Sequence, residues 1–250
     1  MIRFSANLGF LWADLPVDAA IRTAAAHGFA AVELHWPYDA PAARVRAVLA
    51  ETGLPLLGIN TVRGDPGGFG LSALPGRAVD ARAAVDQAIE FAEGTGAQAI
   101  HVMAGTATGP AAMEAFCATL EYACAQTDRT ILIEPLNPHD APGYFLSDTQ
   151  QAVVVLDRVG APNLKIMFDC YHIARSEGDV LGRLSALWPR IGHIQFAGMP
   201  DRGQPDQGTL DYRAVFAAIR DHGWTRPLGA EFRPQGAVED SLDWMQTLLP

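Results

Sequence analysis

The chain has no run of basic residues and no stripe of arginine or lysine. Lys and Arg number 18 against 28 Asp and Glu, for a formal charge of −10 and a pI near 5.0. The positive face that holds a phosphate backbone is missing, so nucleic acid is not expected as a partner. No apolar stretch approaches the ~18 residues that span a bilayer, and the opening "MIRFSANLGF" is not a charged leader followed by a long apolar segment. A cytoplasmic protein without a membrane partner is the expectation. Cysteine is sparse: Cys117, Cys124 and Cys170 are odd in number and show no C-x-x-C spacing. This argues against a disulfide framework and a zinc knuckle, and for reduced thiols in or near the core.

What is present is regular. With 250 residues, 49% of them hydrophobic and 18% charged, the chain has enough apolar material for one sizeable core. Apolar or β-branched runs occur at 2–7, 30–35, 55–60, 99–104, 130–135, 164–169, 191–196 and 227–232. Between them lie patterns of helical spacing, such as 16–28, 40–53, 78–96 and 210–223. Gly28, Gly53, Gly96 and Gly223 stop these helices where a left-handed residue is cheapest for glycine. The strand runs read as near-continuous apolar segments, as in a parallel sheet covered on both faces. Eight β-α units without a compositional break, and no G-x-G-x-x-G after the first strand, predict an α/β fold of one domain over residues 1–250, a closed (β/α)8 TIM barrel. The connections at 61–78 and 197–212 are long and rich in Gly and Pro, as functional loops are.

In such a barrel the site lies at the C-terminal strand ends. Glu134, Asp169, Gln195 and Glu231 close strands five to eight. Three carboxylates and an amide oxygen at one rim suit a hard divalent cation such as Mg²⁺ or Mn²⁺, which would relieve their repulsion. Any one of them alone reads more often as a helix cap, a loop tie or a salt-bridge partner; four on consecutive strands of one rim do not. His172 and Arg175 follow Asp169 and are candidate substrate contacts or merely a solvated helix start. His193 shares a strand face with Gln195. His27 and His222 read as cations at helix ends, and His101 as a satisfied core histidine inside strand four.

The stretches "RFSANLGF", "IEPLNPHDAPGYFL", "NLKIMFDCYHIAR", "IGHIQFAGMPDRGQP" and "GAEFRPQ" together resemble the hydroxypyruvate isomerase family of xylose-isomerase-like TIM barrels, over essentially the whole chain. The resemblance implies an aldose-ketose isomerisation of a short acid sugar through an enediolate, hydroxypyruvate to tartronate semialdehyde or a homologue such as 2-oxo-tetronate. It maps the metal ligands onto Glu134, Asp169, Gln195 and Glu231, and the acid/base pair onto Glu134 and Glu231. His172 and Arg202 map to substrate contacts. Arg202, with Arg233 after strand eight, is expected to hold the substrate carboxylate, and Trp36 and Tyr38 to wall the pocket or pack under a loop. Gln204 and Thr209 replace two glutamates of the family pattern, and "NPHD" at 137–140 moves its histidine, departures expected where substrate is chosen. A sugar epimerase or dehydratase on the same barrel, and a non-catalytic small-molecule-binding barrel, stay open as alternatives, as does a homo-oligomer. A metal-dependent abasic-site endonuclease would need a histidine-rich site and a basic face, which this acidic chain lacks.

Overall fold

The computed structural model describes residues 2–65 and 67–249. Eight strands, β1 (Phe4–Asn7), β2 (Ala31–Leu34), β3 (Leu56–Asn60), β4 (Ala99–His101), β5 (Thr130–Ile133), β6 (Leu164–Asp169), β7 (Ile191–Phe196) and β8 (Leu228–Ala230), pair in parallel and in sequence order, and β8 closes onto β1. The expected closed barrel is therefore the observed one. Around it run α1 (Val17–Ala26), α2 (Ala42–Thr52), α3 (Ala78–Thr95), α4 (Pro110–Gln126), α5 (Thr149–Val159), α6 (Cys170–Ser176), α7 (Val180–Leu187), α8 (Tyr212–Asp221) and α9 (Trp244–Thr247). The four glycines expected to end helices all carry positive φ, from 72° to 84°. No helix among the described residues is long and apolar enough to cross a membrane.

Four strands end earlier than their apolar runs, β2 at Leu34 among them, and this moves residues of interest. β5 and β8 stop at Ile133 and Ala230, so Glu134 and Glu231 stand one residue beyond the sheet. β4 stops at His101 because the backbone then turns to side-chain partners: Met103 N–H donates to Thr61 Oγ1 at 3.1 Å and Ala104 N–H to the Tyr144 hydroxyl at 2.9 Å. His101 is thus a strand-end residue and not an interior one.

The near-continuous apolar reading of the strands needs correction. Ala6, Val32, Ile133, Phe168, Ile194 and Ala230 belong to the core shared with the helices, while the residues beside them point into the barrel. There Ala99, Leu132 and Met167 form a small apolar layer of their own. Next to it the interior is polar: the Ser5 hydroxyl donates to Glu33, and Gln195 reaches Glu33 from across the barrel. The strands alternate with a period of two, as any pleated strand must, with polar residues on the inner positions. A barrel filled by polar side chains is stable only where each finds a partner, so the exceptions locate the site.

Candidate active site

A cavity of about 330 Å³ opens at the C-terminal strand ends, lined among others by His35, Arg63, His101, Glu134, His172, Arg202, Glu231 and Arg233. Asp169 and Gln195 are buried and lie outside this lining.

Asp169 holds two positions at once. As the last residue of β6 it is also the N-cap of α6, and its Oδ1 accepts the Tyr171 N–H at 2.8 Å. The cap uses one oxygen; Oδ2 is buried without a hydrogen-bond partner. Glu134 Oε1 is likewise buried and unpartnered. Gln195 Nε2 donates to Glu33 Oε2 at 2.7 Å, which leaves Gln195 Oε1 buried and unpartnered as well. Glu134, Asp169 and His172 each bring a side-chain oxygen or nitrogen within 4.8 Å of the others.

Glu231 is held differently. Its Oε1 accepts from Asn7 Nδ2 and from His35 Nε2, both at 2.9 Å, and its Oε2 accepts from the Arg202 guanidinium at 2.5 Å. Arg202 also lies 3.6 Å from Asp169 Oδ2 and packs over Phe10 and Tyr171, 4.6 and 5.3 Å from the ring centroids. Its backbone sits in the left-handed region at φ 56°. Such strain in a non-glycine residue costs on the order of 1–2 kcal/mol and persists where the surroundings demand it.

One arginine against three carboxylates leaves an excess of negative charge in a desolvated space. Burial, with the neighbouring Glu231 and Asp169, pushes Glu134 well above the usual carboxyl range. Burial raises Asp169 to about 7 against the pull of Arg202. Burial would raise Glu231 too, but Arg202, ahead of His35, overrides it and holds this carboxyl below its ordinary range. Three unpartnered buried oxygens, on Glu134, Asp169 and Gln195, are what a hard divalent cation uses as ligands, and a cation would cancel the excess charge. The donor set therefore fits a metal of this kind.

His172 is fixed by what it accepts. The Asn137 backbone N–H donates to His172 Nδ1 at 3.0 Å, so the ring's neutral form carries its proton on Nε2. Burial depresses this histidine to about 3, with Arg202 adding to the effect. Nε2 is buried, unpartnered, and 3.9 and 3.7 Å from Glu134 Oε1 and Asp169 Oδ2. It is a donor facing the carboxylates and offers no lone pair to a metal.

Other residues fall less as expected. His101 is not a satisfied core histidine: it lines the cavity, its Nδ1 is 3.7 Å from Glu134 Oε2, and its Nε2 has no partner, because β4 ends at this residue. His193 Nε2 lies 3.1 Å from Glu33 Oε1, beneath the site. Trp36 lines the cavity; Tyr38 instead donates to the Asn60 carbonyl and packs on Phe91. Arg175 donates to the Pro200 carbonyl and stays outside the lining, and exposed Arg233 lines the mouth. Gln204 and Thr209 border other surface recesses and not this cavity, so these two departures do not touch the site. The sequence reading missed Glu33, His35 and Asn7. The alternation in "AVELH" carries the signal, since it puts Glu33 and His35 on one face of β2 and its extension.

The family described as "Xylose isomerase-like TIM barrel" matches residues 21–248. The chain belongs to this family. The 2-oxo-tetronate isomerase of Cupriavidus necator is 40% identical, covering 100% of this chain and 99% of its own length. The hydroxypyruvate isomerase of Escherichia coli K12 is 36% identical over 98% of each chain. Among solved structures, one described as an AP endonuclease of family 2 from Brucella melitensis superposes with a TM-score of 0.95 at 32% identity, covering 100% of both chains. Like these two relatives, which it matches over nearly their whole length, the protein is an isomerase.

Proposed function

We propose that this xylose isomerase-like barrel moves the carbonyl of a short 2-oxo acid sugar to the neighbouring hydroxyl-bearing carbon, with hydroxypyruvate to its aldehyde isomer tartronate semialdehyde as the first candidate and 2-oxo-tetronate to its 3-oxo isomer as the second. The observation that carries the reading is the pair Glu134 and Glu231, both lining one cavity beside three buried, unpartnered oxygens. Glu134, Asp169, Gln195 and Glu231 would hold Mg²⁺ or Mn²⁺. Bound there, the cation supplies positive charge against the oxyanion that develops as a carbon-bound proton leaves.

The chain's own groups do the rest. One of the two glutamates takes a proton from the hydroxyl-bearing carbon and one of them returns a proton to the former carbonyl carbon, while the hydroxyl proton passes to the former carbonyl oxygen, so that the old hydroxyl becomes the new carbonyl. Proton transfer by a positioned carboxylate is worth roughly 10²- to 10⁴-fold. His172 Nε2–H donates to the substrate oxygen that gains charge, a role its fixed tautomer suits. Arg202 and His35 keep Glu231 in place and ionised. Trp36 and Phe69 wall the cavity and exclude water.

The description of the Brucella structure raises a nuclease reading. A chain with a net charge of −10 gives that reading no basic face, and the described residues gather no histidine-rich multi-metal cluster. The test is product analysis by proton NMR with hydroxypyruvate and with 2-oxo-tetronate, before and after chelation. Isomer formed from one substrate and abolished by chelator is expected; cleavage of abasic DNA without isomer formation would overturn the proposal.

A further inference from the structure

Arg63, in the connection between β3 and α3, lines the same cavity as Glu134 and Glu231. Its guanidinium lies over the Trp36 ring at 4.7 Å and over the Phe69 ring at 5.4 Å. Its Nε donates to the Gly68 carbonyl at 2.9 Å, and Trp36 is itself pinned by Nε1 donating to the Thr61 carbonyl at 3.1 Å. The half-buried group is thus held in orientation by two rings and a backbone carbonyl. Yet it forms no ion pair among the described residues, unlike Arg202, which is committed to Glu231 and Asp169.

We infer that Arg63 is the carboxylate subsite of this cavity, the element that selects acid sugars over neutral ones. The inference rests on the isomerase reading of the same cavity. With Nε occupied, the two terminal nitrogens remain, and their planar fork matches the two oxygens of a carboxylate. Arg202 is poorly placed for this task. A substrate carboxylate at Arg202 would have to displace Glu231 from a 2.5 Å contact and lie against Asp169, where like charges repel. The same repulsion drives the carboxylate end of a substrate away from the buried acids and toward the mouth, where two cations without an ion pair stand among the described residues, exposed Arg233 and half-buried Arg63, of which Arg63 is the one held in orientation by two rings and a carbonyl. The carbonyl and hydroxyl ends are then left facing Glu134 and Glu231.

The experiment uses the Mg²⁺-loaded full chain with Arg63→Met, which keeps the apolar stem, and Arg63→Lys, which keeps the charge and loses the fork. Calorimetric titration with D-glycerate, a hydroxy acid with no carbonyl to isomerise, reads the subsite without turnover. Arg63→Met is expected to weaken binding roughly 10- to 100-fold, the range of a charge-assisted pair, with Arg63→Lys in between. In turnover, KM for hydroxypyruvate should rise by a similar factor with kcat within about threefold. D-glycerate binding within twofold of wild type in Arg63→Met, or no binding to wild type at all, overturns the subsite. Should Arg63→Met not fold, the same comparison on Arg63→Lys decides: unchanged affinity and unchanged KM would overturn it. Loss of D-glycerate binding in a protein whose wild type isomerises no 2-oxo acid would support the subsite and sink the isomerase reading, so the two failures are distinct.

Discussion

The Gln195 side-chain amide donates to Glu33 Oε2 at 2.7 Å across 162 residues of sequence. Because a carboxylate oxygen accepts and does not donate, the contact turns the amide nitrogen downward and leaves the oxygen unpartnered beside Asp169, its register neighbour on β6. The Ser5 hydroxyl holds the other Glu33 oxygen. Glu33→Ala frees the amide to rotate, and Mn²⁺ affinity measured by calorimetry should fall about 10- to 100-fold, the usual effect of losing such a supporting contact. Unchanged affinity would show that Glu33 does not orient Gln195.

The Glu33–Gln195 contact also explains Gly229 on β8. A Cβ at this position would sit 2.5 Å from Glu33 Oε1 and 2.7 Å from Gln195 Cγ, inside a packed interior. Gly229→Ala should cost about 1–3 kcal/mol in urea denaturation, as overpacking does. Wild-type stability in this variant would mean that the two side chains can move apart freely.

His172 separates two roles that sequence alone runs together. If its Nε2 carries the proton, as the Asn137 N–H contact requires, His172→Ala should lower kcat roughly 10²- to 10³-fold, as loss of a donor to developing charge does, and leave Mn²⁺ affinity within about twofold. A tenfold loss of metal affinity would make the ring a ligand.

The buried acids predict how metal stabilisation varies with pH. Glu134 and Asp169 are raised in the folded state, Asp169 to about 7 from an ordinary 3.8. Raised carboxyls contribute stability that is complete below the ordinary value and is lost as pH rises through about 7. His101 and His172, depressed mainly by burial to about 4 and about 3 from 6.5, act in the opposite sense: their contribution is complete above 6.5 and is lost as pH falls toward 4 and below. Cation binding requires deprotonated acids. The rise in melting temperature on saturating with Mn²⁺ should therefore grow from pH 5 to pH 8; a rise that is equal at both, or larger at pH 5, would contradict the assignment of these acids as ligands.

The barrel was legible because eight apolar runs and helix-ending glycines such as Gly53 and Gly96 mark local structure directly. Asp169 and Gln195 were legible as strand-end residues for the same reason. His35 and His101 were not, although they occupy equivalent positions one residue past β2 and at the end of β4. His101 reads as core because its apolar run continues to residue 104, and the end of β4 is set by Thr61 and Tyr144, distant in sequence. Arg202 was legible as a site residue, but its pairing with Glu231 depends on a left-handed turn that no local pattern announces.

The most direct test of the proton-transfer account follows hydroxypyruvate in D₂O with Mg²⁺ by proton NMR, comparing the wild type with Glu231→Gln. The account predicts tartronate semialdehyde and deuterium at the reacting carbons with the wild type, and loss of both by at least ~10²-fold in the variant. A wild type that exchanges no deuterium, or a Glu231→Gln variant that exchanges it at the wild-type rate, would contradict it.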